Sequence, residues 1–264
     1  MDIREIVTAV ALLVTVSHAS ELAIKASSVQ FDYREYTDNN ELLDTEKSNI
    51  AEFNGVDIAL RMGGRTPKGV KFIHDLDYSY HVGNTDYVGS LLYDTAGQYG
   101  DLKSTSYNRL SELTYLVGIS LPVTRKFSFG GQTGFGNRQW KRGLGVDMLE
   151  TYTWSHWIAG ARADWLFNNG EFSLYANYQE AFLPKMSASN LGLVFDLGKT
   201  SGYKLGARWS TRLSRRISFE LEYVYDYWEI GRSTTKQAYD NKYYYEPFSE
   251  TRNNYLKTGF VYIF

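Results

Sequence analysis

The sequence has no cysteine in its 264 residues. That excludes disulfides, thiolate metal sites and a cysteine nucleophile. It also has only four prolines and four histidines, so a histidine-rich metal centre is not expected. Charge of one sign is missing too. Twenty-eight Lys and Arg against 30 Asp and Glu leave a formal net charge of −2, which gives no basic field for nucleic acid. Long hydrophobic runs are scarce. Only Ile6 to Val16 reads as continuously apolar, and that is too short to cross a bilayer as a helix. Mean hydropathy is below zero, which excludes a bundle of membrane helices.

That short apolar run precedes Ser17-His18-Ala19, small residues where a signal peptidase cuts. The expected organisation is therefore a signal peptide over 1–19 and one folded unit over 20–264. The n-region departs from the usual basic pattern, because Asp2 and Glu5 flank Arg4.

Aromatic residues are abundant: 22 Tyr, 14 Phe and 6 Trp. They recur with a period of two. Phe72, Leu76, Tyr78 and Tyr80 alternate with Lys71, Asp75, Asp77 and His81. Trp157, Ala159, Ala161, Ala163 and Trp165 alternate with His156, Arg162 and Asp164. Ile217, Phe219, Leu221, Tyr223, Tyr225 and Tyr227 alternate with Glu220, Glu222 and Asp226. Such alternation over most of the chain predicts strands with one apolar and one polar face. Aromatics at both ends of the apolar face, such as Trp157 with Trp165, fit the two interfacial girdles of a transmembrane barrel.

About ten strands are predicted by this spacing. Short turns at Gly64–Gly69, Pro122–Lys126, Phe167–Glu171 and Arg212–Arg216 alternate with polar stretches at 37–51, 83–106, 138–150, 180–202 and 229–253. The expected fold is an all-β, antiparallel, up-and-down barrel with short periplasmic turns and long extracellular loops. Within 188–198 a weak run, Leu191, Leu193, Phe195 and Leu197, reads as a strand extension inside a loop. A further spanning strand there is the alternative.

The chain ends in Phe260, Tyr262 and Phe264 at strand spacing. This resembles the C-terminal signature of bacterial outer-membrane barrels. The resemblance implies integral outer-membrane location, contact with membrane lipid and lipopolysaccharide, and recognition of Phe264 by the barrel assembly machinery.

The polar face carries charge of both signs. Asp32, Asp57, Asp75, Asp77, Glu112, Asp164, Glu220, Glu222 and Asp226 are expected inward, with Arg34, Arg61, Lys71, Arg162, Lys204, Arg208 and Lys257. A barrel of this strand number is narrow, so these groups are expected to pair and fill the lumen. A narrow ion or solute path is the alternative.

A ten-stranded barrel with long outer loops resembles the omptin proteases and the related ten-stranded adhesins. Omptins set two acidic residues opposite an Asp-His pair at the outer rim, where together they activate water. The single Asp-x-Asp here is Asp75-Leu76-Asp77, with His81 on the same face and His156 on another strand. The stretch where the family places Asp-Glu-His reads Glu180-Ala181-Phe182-Leu183-Pro184. The resemblance is therefore architectural, and no catalytic, metal or cofactor site is assigned. Asp75, Asp77, His81 and His156 would be the residues to consider if the protein were a protease.

Tyrosines in 83–106 (Tyr87, Tyr93, Tyr99) and 229–253 (Tyr239, Tyr243, Tyr244, Tyr245) give large contact area at low entropy cost. These loops are the expected contact surface for an extracellular ligand. A structural or adhesin-like barrel is the leading reading. A surface protease and a narrow channel remain alternatives.

Overall fold

In bilayer hydrocarbon every backbone polar group must find a partner within the protein, so a strand-based span has to close on itself. The computed structural model does this. It describes residues 20–264 apart from 65, 67, 68, 90–98, 146 and 147, so the signal peptide expected over 1–19 lies outside the described residues. No helix occurs among them.

The strands are β1 (Ser20–Gln30), β2 (Asp32–Tyr36), β3 (Leu42–Lys47), β4 (Phe53–Met62), β5 (Lys71–Gly89), β6 (Leu102–Pro122), β7 (Phe127–Gly145) and β8 (Met148–Phe167). They continue as β9 (Gly170–Ala188), β10 (Leu193–Asp196), β11 (Ser201–Arg212), β12 (Ile217–Ile230), β13 (Lys236–Gln237), β14 (Tyr243–Tyr244) and β15 (Phe248–Ile263). Each long strand pairs antiparallel with its neighbours, and β1 closes the ring on β15 from Glu21↔Ile263 to Gln30↔Asn254. Two staves are interrupted: β2 continues β1, and β3 continues into β4. The wall has ten staves, all antiparallel.

The 188–198 segment is a strand extension inside a loop. β10 folds back on β9, from Leu193↔Ala188 to Asp196↔Lys185, and adds no crossing of the wall.

The outer surface carries apolar side chains in a belt. Ile24, Ile58, Ile119, Phe129, Leu174, Leu205 and Leu256 are exposed there. Aromatic contacts edge it on both sides. At the short-turn end, Trp165 lies 4.8 Å from Phe127, Trp209 6.2 Å from Phe219, and Tyr262 5.1 Å from Phe264. At the other edge, Trp157 meets Tyr178 at 5.6 Å and Tyr203 meets Tyr227 at 5.0 Å. Trp157 and Trp165 are eight residues apart on β8, about 27 Å along a strand, close to the height of an apolar barrel band once tilt is included.

Two sequence expectations are corrected. First, 138–150 is not a loop. β7 and β8 run on through it as a hairpin, paired as far as Gly145↔Met148. The other expected loops also shrink, because β5, β6 and β9 reach well past the aromatic edge. Second, the faces of the first stave are reversed. Val29, Phe31 and Tyr33 are fully buried inside, while Asp32 and Arg34 are half-buried on the outside and pair with each other at 3.0 Å. Above the apolar belt the outer wall no longer meets hydrocarbon, so the polar side turns outward and the apolar side fills the lumen.

Candidate functional site

The lumen is layered. In the half nearest the short turns, inward charges pair with one another inside the lumen. Lys25 donates to Glu222 at 2.5 Å and to Glu220 at 3.1 Å, and Arg61 grips Glu220 through two bonds of 2.6 and 2.8 Å. Lys257 pairs with Asp57. Arg162 donates to Asp164 at 2.6 Å, Glu171 at 3.0 Å and Ser173 at 3.1 Å. Higher up, Lys204 meets Glu112 at 2.9 Å and Arg138 meets Asp226 at 2.6 Å. Lys204 with Glu112 and Arg138 with Asp226 join staves four apart around the ring and act as struts, whereas Lys25, Arg61 and Lys257 reach partners two or three staves away and Arg162 holds Asp164 on its own strand and Glu171 on the next. Glycines make room for the bulkier members. A Cβ on Gly136 would stand 2.3 Å from His156 Nε2, and one on Gly206 would stand 2.0 Å from the Tyr175 ring.

The next layer is aromatic and dry. Trp140 stacks on Tyr152 at 4.6 Å and packs on Phe31 at 5.5 Å; Phe31 meets Phe53 at 5.6 Å; Trp154 meets Trp228 at 5.1 Å. Phe195 and Leu197 of the weak apolar run join this cluster, with Leu191 and Leu193 packed against it. That run turns inward to close the lumen rather than outward to lipid.

Above the plug, Arg142 sits fully buried at the outer mouth. It pairs with Glu46, with Glu150 at 2.9 Å and with Glu35 at 3.9 Å, and lies over the Tyr33 and Tyr87 rings at 4.8 and 5.6 Å. Tyr33 donates to Glu35 at 2.9 Å, and Tyr152 donates to Glu246 at 2.5 Å. Acid outnumbers base here. Burial, then the neighbouring Asp44, pushes the Glu35 carboxyl up to about 8. Burial, then Glu35 and Glu150, holds Glu246 well above the ordinary range. Burial and the neighbouring carboxylates thus favour the protonated, hydrogen-bond-donating form of both groups.

This cluster floors a cleft of about 590 Å³ between the 42–44, 142–150, 186–195 and 242–247 segments. Leu43, Met148, Met186, Leu191 and Phe195 supply apolar walls, and Tyr243 stands 69% exposed at the lip. Among the described residues, the buried Arg142 Nη2 in this cleft has no hydrogen-bond partner.

The residues singled out from the sequence lie elsewhere. Asp75 and Asp77 face the lower lumen, Asp75 at 4.0 Å from Arg162. His81 and His156 are fully buried. Ser27 Oγ lies 2.7 Å from His81 Nε2, and Asp57 lies 3.6 Å away, so serine, histidine and carboxylate do converge. Both contacts fall on the same ring nitrogen, however, and Nδ1 has no partner. A nucleophilic triad needs the carboxylate on Nδ1 and the hydroxyl on Nε2, so this is not one. His156 lies 3.4 Å from Glu112 and 5.1 Å from the Trp228 ring, on another side of the lumen. The four residues do not form one constellation, and none lines the outer cleft.

Sequence reading missed Lys25, Arg138, Arg142, Glu35, Glu46, Glu150 and Glu246. The signal for two of them was present: Arg138, Trp140 and Arg142 continue the inward parity of β7. It was hidden because Asn137, Gln139 and Lys141 make the outward face polar as well, leaving no contrast to read.

No family model and no curated protein matches the sequence. Solved structures do match in shape. The outer membrane protease OmpT from Escherichia coli superposes with a TM-score of 0.58 at 10% identity, covering 94% of this chain and 98% of that one. The translocator domain of autotransporter NalP from Neisseria meningitidis follows with a TM-score of 0.45 at 11% identity, covering 98% and 94%. An outer membrane channel from Pseudomonas putida F1 also gives 0.45, at 7% identity, covering 94% and 96%. At such identities only architecture is shared, and proteins of that architecture do different things. The ring of ten antiparallel staves among the described residues, its apolar belt and the likeness in shape to OmpT together give the chain the architecture of an outer-membrane β-barrel, omptin-like in form.

Proposed function

We propose that the protein is a closed barrel of the bacterial outer membrane that binds an extracellular ligand in the cleft at its outer mouth. Its lumen is a strut and carries no solute.

The observation that carries this reading is the sequence of layers along the lumen. The aromatic plug lies between the charged interior and the Arg142 cluster at the outer mouth, so an ion that passes that cluster must cross Trp140, Trp154 and Trp228 before it reaches the charges of the lower lumen. Above the plug the surface changes character and becomes concave. Apolar walls, carboxyls that burial favours in the protonated form, and an Arg142 nitrogen unpartnered among the described residues suit an amphipathic ligand that offers at least one acceptor. An unmet buried donor costs about 1–3 kcal/mol, which such a ligand recovers. Contact tyrosines on a rigid mount favour recognition.

Hydrolysis is disfavoured on a specific ground. The histidines of the folded unit are His74, His81 and His156, and none of these reaches the outer cleft.

The test uses refolded protein in vesicles, with three readouts on one preparation: ion conductance, cleavage of a fluorogenic dibasic peptide, and retention of a panel of sulfated saccharides, short peptides and lipopolysaccharide. The reading expects silence in the first two. It expects at least one retained compound, released by Tyr243→Ala or Arg142→Gln. Peptide cleavage, or retention indifferent to both substitutions, contradicts it.

A further inference from the structure

Nearly every inward charge of the lower lumen has a partner, and the exceptions share one place. Asp77 and Arg208 make neither a hydrogen bond nor an ion pair among the described residues, and Asp75 reaches only Arg162, at the 4.0 Å limit. All three line the same mid-lumen cavity of about 100 Å³. Asp75 and Arg208 also line a second cavity of about 340 Å³, which ends at Gly63, Gly64, Lys71 and Ser218 beside the short turns. Arg61 and Arg162 line both as well. The two spaces are one vestibule. It reaches from Gly63, Gly64 and Lys71 near the short turns to Val224 and Tyr255 on the underside of the aromatic plug.

The carboxylates nearest Arg208 are already committed. Glu220 serves Lys25 and Arg61, Glu222 serves Lys25 and Tyr175, and Glu171 serves Arg162, Lys71 and Ser173. A guanidinium has five donors in a fork shaped for a carboxylate, and here the fork faces open cavity. Because those three carboxylates still surround it at longer range, a simple anion gains little. Asp77 and Asp75 likewise repel a simple anion, while Lys257 and Lys25 near Asp77, and Arg61 and Arg162 near Asp75, leave a simple cation with little to gain either. Among the described residues the vestibule thus offers an unpaired guanidinium and an unpaired carboxylate on facing walls, with no net charge to favour either sign alone.

We propose that this vestibule binds a small zwitterion from the periplasmic side, its carboxylate on Arg208 and its ammonium on Asp77 with Asp75. An amino acid or a short amino-carboxylate is the fitting class. The proposal rests on the plugged-lumen reading, since an open lumen would make the vestibule a stretch of pore.

The experiment titrates refolded protein in detergent micelles with glycine, β-alanine and γ-aminobutyrate, read by saturation-transfer NMR. Acetate and methylammonium serve as single-charge controls. The expected result is binding of at least one zwitterion about tenfold tighter than either control. Arg208→Gln and Asp77→Asn should each weaken it about tenfold, and Arg208→Lys should restore part of the loss. Folding of each variant is checked by its heat-modifiable gel migration. Absence of zwitterion binding by folded wild-type protein overturns the proposal. So does binding matched by acetate or unmoved in folded Arg208→Gln. Conductance measured on the same sample separates the two claims: stepwise current sinks the plug, whereas a silent barrel that ignores all five probes sinks the vestibule alone.

Discussion

The two halves of the lumen solve the same problem by opposite chemistry. Both must fill a narrow cylinder. The half nearest the short turns does so with Lys25, Arg61, Arg162 and Lys257 against Asp57, Asp164, Glu220 and Glu222, while the outer half uses Phe31, Phe53, Trp140, Tyr152, Trp154 and Trp228. The difference follows the surroundings of the wall. Within the apolar belt each strand already spends its apolar face on lipid, so polar residues are left for the interior, and they survive there only as pairs. Beyond the belt the outward face meets water. The apolar residues are then free to turn inward, and they make a dry stopper that charges could not.

This contrast can be broken at its strongest point. Trp228 is fully buried, packed on Trp154 and beneath the Arg138 guanidinium at 5.7 Å. Trp228→Ala is expected to cost about 3–5 kcal/mol, read as a lowered urea midpoint, and to thin the stopper. A comparable loss is expected in the charged half when one partner is removed. Lys25→Met leaves Glu220 and Glu222 without their shared ammonium and should cost about 3–5 kcal/mol. The informative comparison is the double variant Asp57→Asn with Lys257→Met. Removing both partners should cost less than removing Lys257 alone, because no unpaired charge remains. An aromatic pair should show no such rescue.

A smaller effect sharpens the boundary at the outer mouth. The Glu35 carboxyl is raised from 4.5 to about 8, so the folded state holds a proton that the unfolded chain releases. Stability from this group is therefore complete below about pH 4.5 and is lost as pH rises through about 8. Glu35→Gln should flatten that slope and leave the variant relatively more stable at pH 9, checked by urea midpoints across the range. The smallest effect is expected at the lip. Tyr243 is mostly exposed, so Tyr243→Ala should change stability by no more than about 0.5 kcal/mol while reducing ligand retention.

The same contrast explains what was legible in the sequence. Alternation identified the ten staves, and within the belt it also identified the inside: Asp57, Arg162, Asp164, Glu220, Glu222 and Lys257 are all inward as expected. The rule that the apolar face is the lipid face fails above the belt. That is why Asp32 and Arg34, expected inward, lie outside while Val29, Phe31 and Tyr33 fill the lumen. It is also why Arg138 and Arg142 were taken for loop. Parity along a strand is local and survives in one dimension. The height at which polarity inverts depends on where the girdles of neighbouring strands align, which no single strand reveals. The outer cleft was less legible still, because Glu35, Glu46, Glu150 and Glu246 come from four separate segments and meet only through register.

The central claim is that the aromatic layer closes the barrel. Planar-bilayer recording of the wild-type protein beside a Trp140→Ala/Trp228→Ala variant tests it most directly. The account predicts no stepwise current from the wild type and measurable openings from the variant. Stable steps from the unmodified protein would contradict it.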